Sequence, residues 1–181
     1  MTIHQRSLLS AAALAAAMLV PGVPALAAGS ATAVLKSTDG TEVARVGFQP
    51  AAIGGLIVVL QTTGLPPGIH AFHLHETGAC DAADGFKSAG GHFNPTDKSH
   101  GWLNENGAHL GDLPNLHVPQ DGVLAVEYFL ADVTLGGDGD GHSLMDDDGT
   151  AVVVHVRADD YKTDPAGDAG ERIACGVIEM E

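Results

Sequence analysis

Three histidines fall within six positions in the stretch G-I-H-A-F-H-L-H, residues 68–75. A neutral imidazole is a ligand for copper or zinc. If the stretch is a β-strand, side chains alternate between its faces. His73 and His75 then point one way, and Phe72 and Leu74 the other. Two imidazoles at i, i+2 on a rigid backbone form a pair of metal ligands at fixed separation. His70 lies an odd number of positions from both, so it is expected as a buried structural residue. His155, inside the run A-V-V-V-H-V-R, offers a third imidazole from elsewhere in the chain. Between them lie His92, His100, His109 and Asp112. Three imidazoles and one carboxylate make a complete tetrahedral set for zinc. With no open position, such a set anchors a loop and does no chemistry itself.

These residues need a scaffold, and the pattern is that of strands. Residues 31–37 and 41–48 flank an Asp39-Gly40 turn and read as a hairpin. A third strand is expected over 53–61, with Gly54-Gly55 marking a bulge. The histidine strand follows Pro66-Pro67-Gly68. From Glu76 to about Gln120 periodicity is lost, and the chain is rich in Gly, Asn, Asp and Pro. A loop this long inside a compact domain needs an anchor. Further strands are expected over 123–130, 151–157 and 172–180, with a second irregular loop over 158–170. About eight short strands without an amphipathic helix predict an all-β fold: an antiparallel β-sandwich or flattened barrel with two long functional loops.

The N-terminus reads as an address. Arg6 precedes an apolar run over Leu8–Val20, and Ala25-Leu26-Ala27 has the form of a cleavage site. This is the pattern of a secretory signal peptide, residues 1–27, and the run is too short to span a bilayer. Residues 28–181 are then one mature domain, exported to the periplasm. The two cysteines, Cys80 and Cys175, read as one disulfide in such an oxidising compartment. The formal net charge of −15 argues against nucleic acid or an anionic membrane as partner. An anionic substrate would need a local positive patch.

The segments G-I-H-A-F-H-L-H-E, A-G-G-H-F-N-P, H-L-G-D-L, V-V-H-V-R-A-D-D and G-E-R-I-A-C-G-V-I resemble the copper/zinc superoxide dismutase family of the bacterial secreted type. They occur in family order and cover essentially the whole mature chain. The resemblance implies an eight-stranded Greek-key β-sandwich with one copper and one zinc per subunit. By position, His73, His75 and His155 match copper ligands, and His92 matches the histidine bridging copper and zinc. His100, His109 and Asp112 match the remaining zinc ligands. Arg172 matches the arginine beside the copper, so catalytic roles fall to Arg172 and His92. Asp159 matches the carboxylate that ties His73 to His100, and Cys80 with Cys175 the intrasubunit disulfide. The implied activity converts two superoxide radicals and two protons to oxygen and hydrogen peroxide by Cu(II)/Cu(I) cycling.

Superoxide is thus the expected partner, and a homodimer is an option the sequence leaves open. Lys87 and Lys162 are candidates for steering the anion, with solvated surface lysines as the plainer reading. A protein of the same fold that stores or delivers copper or zinc is the competing function. It predicts loss of a copper ligand, the bridge or the arginine, yet all are present. His117 and His142 match no ligand position. Trp102 is expected to pack, and the Gly137–Gly141 run to turn.

Overall fold

The computed structural model describes residues 29–136 and 141–181. The expected signal peptide lies outside the described residues, as do residues 137–140 of the glycine- and aspartate-rich turn. The strands are β1 (Ala31–Ser37), β2 (Glu42–Pro50), β3 (Leu56–Thr62), β4 (Gly68–His70), β5 (Phe72–His75), β6 (Leu116–Val118), β7 (Leu124–Leu130), β8 (Val133–Thr134), β9 (His142–Ser143), β10 (Ala151–His155) and β11 (Arg172–Met180). Seven of them form one curled antiparallel sheet in the order β5-β10-β11-β1-β2-β3-β7. β4 pairs with β6, and β8 with β9. The chain leaves β3 at one end of the sheet, adds β5 at the other, and returns to place β7 beside β3. That double crossing is Greek-key connectivity, and the all-β antiparallel expectation holds.

Period-two patterning drives the fold. Ala33 and Leu35 of β1, Val46 and Phe48 of β2, and Val58 and Leu60 of β3 all lie in the core. Phe72 and Leu74 of β5 join them, with Val152 and Val154 of β10. Their neighbours His73 and His75 must therefore face the other side of β5. Ala71 separates β4 from β5, so the histidine stretch is two short strands and not one.

Two further expectations need correction. Gly54-Gly55 is not a bulge within β3; it closes the β2–β3 turn. The Ala51 N–H donates to the Gly55 carbonyl at 3.0 Å, and both glycines have positive φ, 87° and 77°. The 76–120 segment is also less irregular than its composition suggests. It holds two 3₁₀ turns, Ala82–Asp84 and Lys87–Ala89, and the short strand β6. Three residues are too few for β6 to show a period in sequence.

The outer edge of β5 organises this loop. Phe93 N–H donates to the Leu74 carbonyl at 2.8 Å, and Leu74 N–H to the Gly111 carbonyl at 2.9 Å. Glu76 N–H donates to the Gly91 carbonyl at 3.0 Å. Isolated bridges set His73 opposite Asp112 and His75 opposite His92. Gly111 is required here, because an added Cβ would overlap the Leu74 carbonyl. The unpaired edge of a strand thus becomes the template that seats two loop segments.

Candidate metal centre

The first group of side chains is built on paired strands. In the β5–β10 ladder, His73 pairs with Val153 and His75 with Ala151. The β10–β11 register shifts between Val154 and His155, at the residue that enters the site. His92 arrives from the loop through its bridge to His75. One ligand atom from each of His73, His75, His92 and His155 lies within 4.8 Å of the others. All four residues are buried.

Their second ring nitrogens are all engaged. His73 Nε2 meets Asp159 Oδ2 at 2.8 Å, and His92 Nδ1 meets Asp112 Oδ1 at 2.8 Å. His75 Nδ1 donates to the Gly90 carbonyl at 3.0 Å, and His155 Nδ1 to the Gly170 carbonyl at 3.1 Å. For His73, His75 and His155 those partners place the proton on the engaged nitrogen. His73 Nδ1 and the Nε2 atoms of His75, His92 and His155 are left buried with no hydrogen-bond partner. One orphaned imidazole nitrogen costs about 1–3 kcal/mol. Four converging on one point fit a cation with nitrogen preference. Burial also pushes their pKa values down, His92 to about 4 and His155 to about 3, with His75 well below its ordinary value. They are neutral, as ligation requires.

The second group lies on the loop and centres on Asp112. His92 Nδ1, His100 Nδ1 and His109 Nδ1 stand 2.8, 3.0 and 3.2 Å from its Oδ1. His109 Nδ1 is 3.4 Å from His92 Nδ1. Its Oδ2 accepts the N–H groups of Gly101 and His109 at 2.9 and 3.0 Å. Burial alone would raise this carboxyl, but hydrogen bonds from His100, His109 and His92 hold it far below the usual range. His73 also lies close enough to be counted with His92, His100 and Asp112. Its Nδ1 belongs to the first group and its Nε2 to Asp159, whereas His109 Nδ1 stands directly against Asp112 and His92. His92 is shared: one nitrogen belongs to each.

Asp159 spans the two groups. Its Oδ2 faces His73 and its Oδ1 stands 3.0 Å from His100 Nε2. Burial opposes ionisation, but hydrogen bonds from His100 and His73 keep the carboxylate charged. Burial would likewise lower His100, but bonds to Asp112 and Asp159 raise it to about 9.

Arg172 opens β11 and is held by carbonyls: it donates to Phe86 O and Gly90 O, each at 2.6 Å. It lines a cleft of about 430 Å³ together with His75, His92 and His155. Glu76 and Asp97 line the same cleft, whereas Lys87 and Lys162 are exposed and outside the lining. The loop that supplies those carbonyls is tied down by the Cys80–Cys175 disulfide, whose Cα atoms are 5.7 Å apart. Phe86 and Ala89 pack with Val153 and Cys175 beneath it.

A family model described as copper/zinc superoxide dismutase matches residues 43–178. The chain belongs to the copper/zinc superoxide dismutase family. It is 51% identical over 126 residues to superoxide dismutase (Cu-Zn) 1 of Aquifex aeolicus, covering 69% of this chain and 73% of that one. Against the superoxide dismutase (Cu-Zn) of Caulobacter vibrioides it is 44% identical over 151 residues, covering 83% and 86%. The crystal structure of a superoxide dismutase-like protein from Bacillus subtilis aligns with a TM-score of 0.75 at 39% identity, covering 81% of this chain and 96% of that chain.

Among the described residues, His70 and His117 stand apart from this family's site. His70 is buried, with its ring nitrogens on the His155 and Pro66 carbonyls. His117 is exposed and pairs through its backbone with Ile69. Trp102 stacks on Tyr161 at 5.2 Å. Sequence reasoning missed Asn115, which exchanges two hydrogen bonds with the Asp159 backbone at 2.8 and 2.9 Å. It also missed Tyr161 and Asp164. Asn115 meets Asp159 across 44 positions and Tyr161 across 46, and Asp164 meets His100 across 64, so no local pattern could reveal these contacts.

Proposed function

We propose that the chain is a superoxide dismutase that converts two superoxide radicals and two protons to oxygen and hydrogen peroxide. His73, His75, His92 and His155 would hold copper; His92, His100, His109 and Asp112 would hold zinc. The carrying observation is His92: its Nε2 is one of four orphaned nitrogens, and its Nδ1 lies in the Asp112 group. Copper, when bound, supplies one-electron transfer to and from superoxide, and zinc a fixed structural charge.

The chain's own residues supply the rest. Arg172 gives the acidic domain its local positive group, and its guanidinium can hold an oxyanion through N–H donors. Two carbonyls fix that guanidinium, so little ordering remains on binding. His92 Nε2 is the atom at which a proton can be held and passed on, while Nδ1 stays engaged with the second group. His75 and His155 are clamped through Nδ1 to loop carbonyls, which keeps their Nε2 atoms aimed inward. The Asp159 carboxylate orients His73 and His100 together.

The proposed mature domain is residues 28–181, acting in the periplasm after removal of 1–27. The Cys80–Cys175 bond supports an oxidising compartment. Metal content of the purified mature protein, measured alongside superoxide consumption, tests the reading. Copper and zinc near one each with rapid consumption is expected. Both metals bound without consumption would make this a metal store instead.

A further inference from the structure

Asp159 is held from outside both histidine groups. Its Oδ1 accepts the Tyr161 N–H at 2.6 Å, in addition to facing His100. Asn115 exchanges side-chain hydrogen bonds with the Asp159 backbone, and the Asn115 N–H donates to Tyr161 Oη at 2.8 Å. Asp159, Asn115 and Tyr161 therefore close a ring of hydrogen bonds around the carboxylate.

Tyr161 adopts a left-handed backbone, with φ 60°, which is uncommon for an aromatic residue. That conformation turns its N–H back onto Asp159. Its carbonyl accepts the Leu103 N–H at 2.8 Å. Its ring lies parallel to the Trp102 indole, with 9° between planes. Gly101 permits the close approach, since a Cβ there would overlap the Tyr161 carbonyl. His100 N–H donates to Asp164 Oδ1 at 2.6 Å. Four consecutive residues, His100 to Leu103, thus meet the 158–170 loop, and Tyr161 receives three of them. Asp159 is buried beneath, while Trp102 is half exposed above.

We propose that Tyr161 is a positioning residue. It fixes the Asp159 carboxylate, and through it the ring orientations of His73 and His100, with Trp102 as the cover that holds it down. The inference rests on the metal assignment proposed above and adds the residue that sets its geometry from the second loop. Partners of metal ligands change metal affinity by about 10–100-fold when removed. Tyr161 acts one residue further out, so the lower end of that range is expected.

The test compares the mature protein with its Tyr161→Leu, Tyr161→Phe and Trp102→Leu variants. Zinc release to a chromogenic chelator is timed, and the visible spectrum is recorded with Co(II) in place of zinc. Tyr161→Leu should release zinc about ten-fold faster and shift the Co(II) bands. Tyr161→Phe keeps the stack but loses the Oη acceptor, so it should fall between Tyr161→Leu and wild type. Trp102→Leu should speed release less and leave the bands near their wild-type positions. Quenching of the single tryptophan by iodide should rise in Tyr161→Leu. If Tyr161→Leu fails to fold, Tyr161→Phe decides: wild-type release and spectrum in that variant overturn the proposal. Folded variants that all match a wild type holding both metals overturn the positioning role alone. A wild type that takes up neither zinc nor Co(II) overturns the metal assignment as well.

Discussion

The two histidine groups share His92 but are built in opposite ways. The first rests on β5 and β10, whose ladder sets His73 opposite Val153 and His75 opposite Ala151. Its ligand nitrogens are orphaned, and only a cation would satisfy them together. The second rests on a loop, and its nitrogens converge on Asp112 Oδ1 within 3.2 Å. Strand positions are imposed by backbone pairing before any ion arrives. Of the loop group, His92 and Asp112 are seated by bridges to the β5 edge, and His100 and His109 are placed by their contacts with Asp112. A rigid frame suits an ion that must change charge, and a closed carboxylate-centred set suits one that only anchors.

The largest test of this contrast is the disulfide, which pins the loop to the strand side. Cys80 and Cys175 are separated by 95 positions. Chain-entropy arguments assign such a link about 4–5 kcal/mol. Cys80→Ser with Cys175→Ser should lower the unfolding midpoint strongly in calorimetry. Zinc retention should fall more than copper retention, because the loop loosens while the β5–β10 ladder persists. Equal loss of both metals would break the contrast.

His92→Ala removes the shared residue. Superoxide consumption should fall by at least about a hundred-fold, the scale of losing a positioned proton donor. Metal analysis should show weakened sites on both sides. Full activity with normal copper would remove the bridge. Arg172→Ala touches neither group and should cut consumption by about ten- to a hundred-fold with both metals retained. Unchanged turnover would remove its role.

The metal-free protein gives the contrast a sign. His92 and His155 have folded pKa values of about 4 and about 3, below the ordinary 6.5. The unfolded chain binds more protons between those values, so their stability contribution is present above 6.5 and is lost as pH falls toward 3. His100 is raised to about 9. Its contribution is present below 6.5 and is lost as pH rises through 9. Thermal melts of metal-free protein should therefore peak between the two limbs. His100→Gln should flatten the alkaline limb and leave the acid limb in place. The smallest effect is expected at Lys162→Ala, since this exposed side chain lies outside the cleft lining. Its rate change should stay within about two-fold at physiological salt, measured as consumption against ionic strength.

Some of this was legible from sequence. Alternation over 72–75 assigned His73 and His75 to one face and Phe72 and Leu74 to the other, because strand periodicity is a local property of the backbone. The same locality turned His70 away from the site. The strand pattern gave the all-β class, and the run of family motifs named residues that the fold brings together in the two groups. Local information failed where partners were remote. Gly54-Gly55 looked like a bulge, since a turn and a bulge make the same demand for positive φ. β6 was hidden because pairing with β4, and not its own three residues, makes it a strand.

What the tertiary structure alone decided is the company each side chain keeps. The β5 edge seats residues 91–93 and 111–112, and that seating delivers His92 and Asp112 to the strand histidines. The register shift at His155 and the Asn115–Asp159–Tyr161 ring have no signature in composition or spacing. Residue types and short periods are written in the chain. Convergence of four orphaned nitrogens depends on which segments pack together, and that is settled by the whole fold's burial and hydrogen bonding at once.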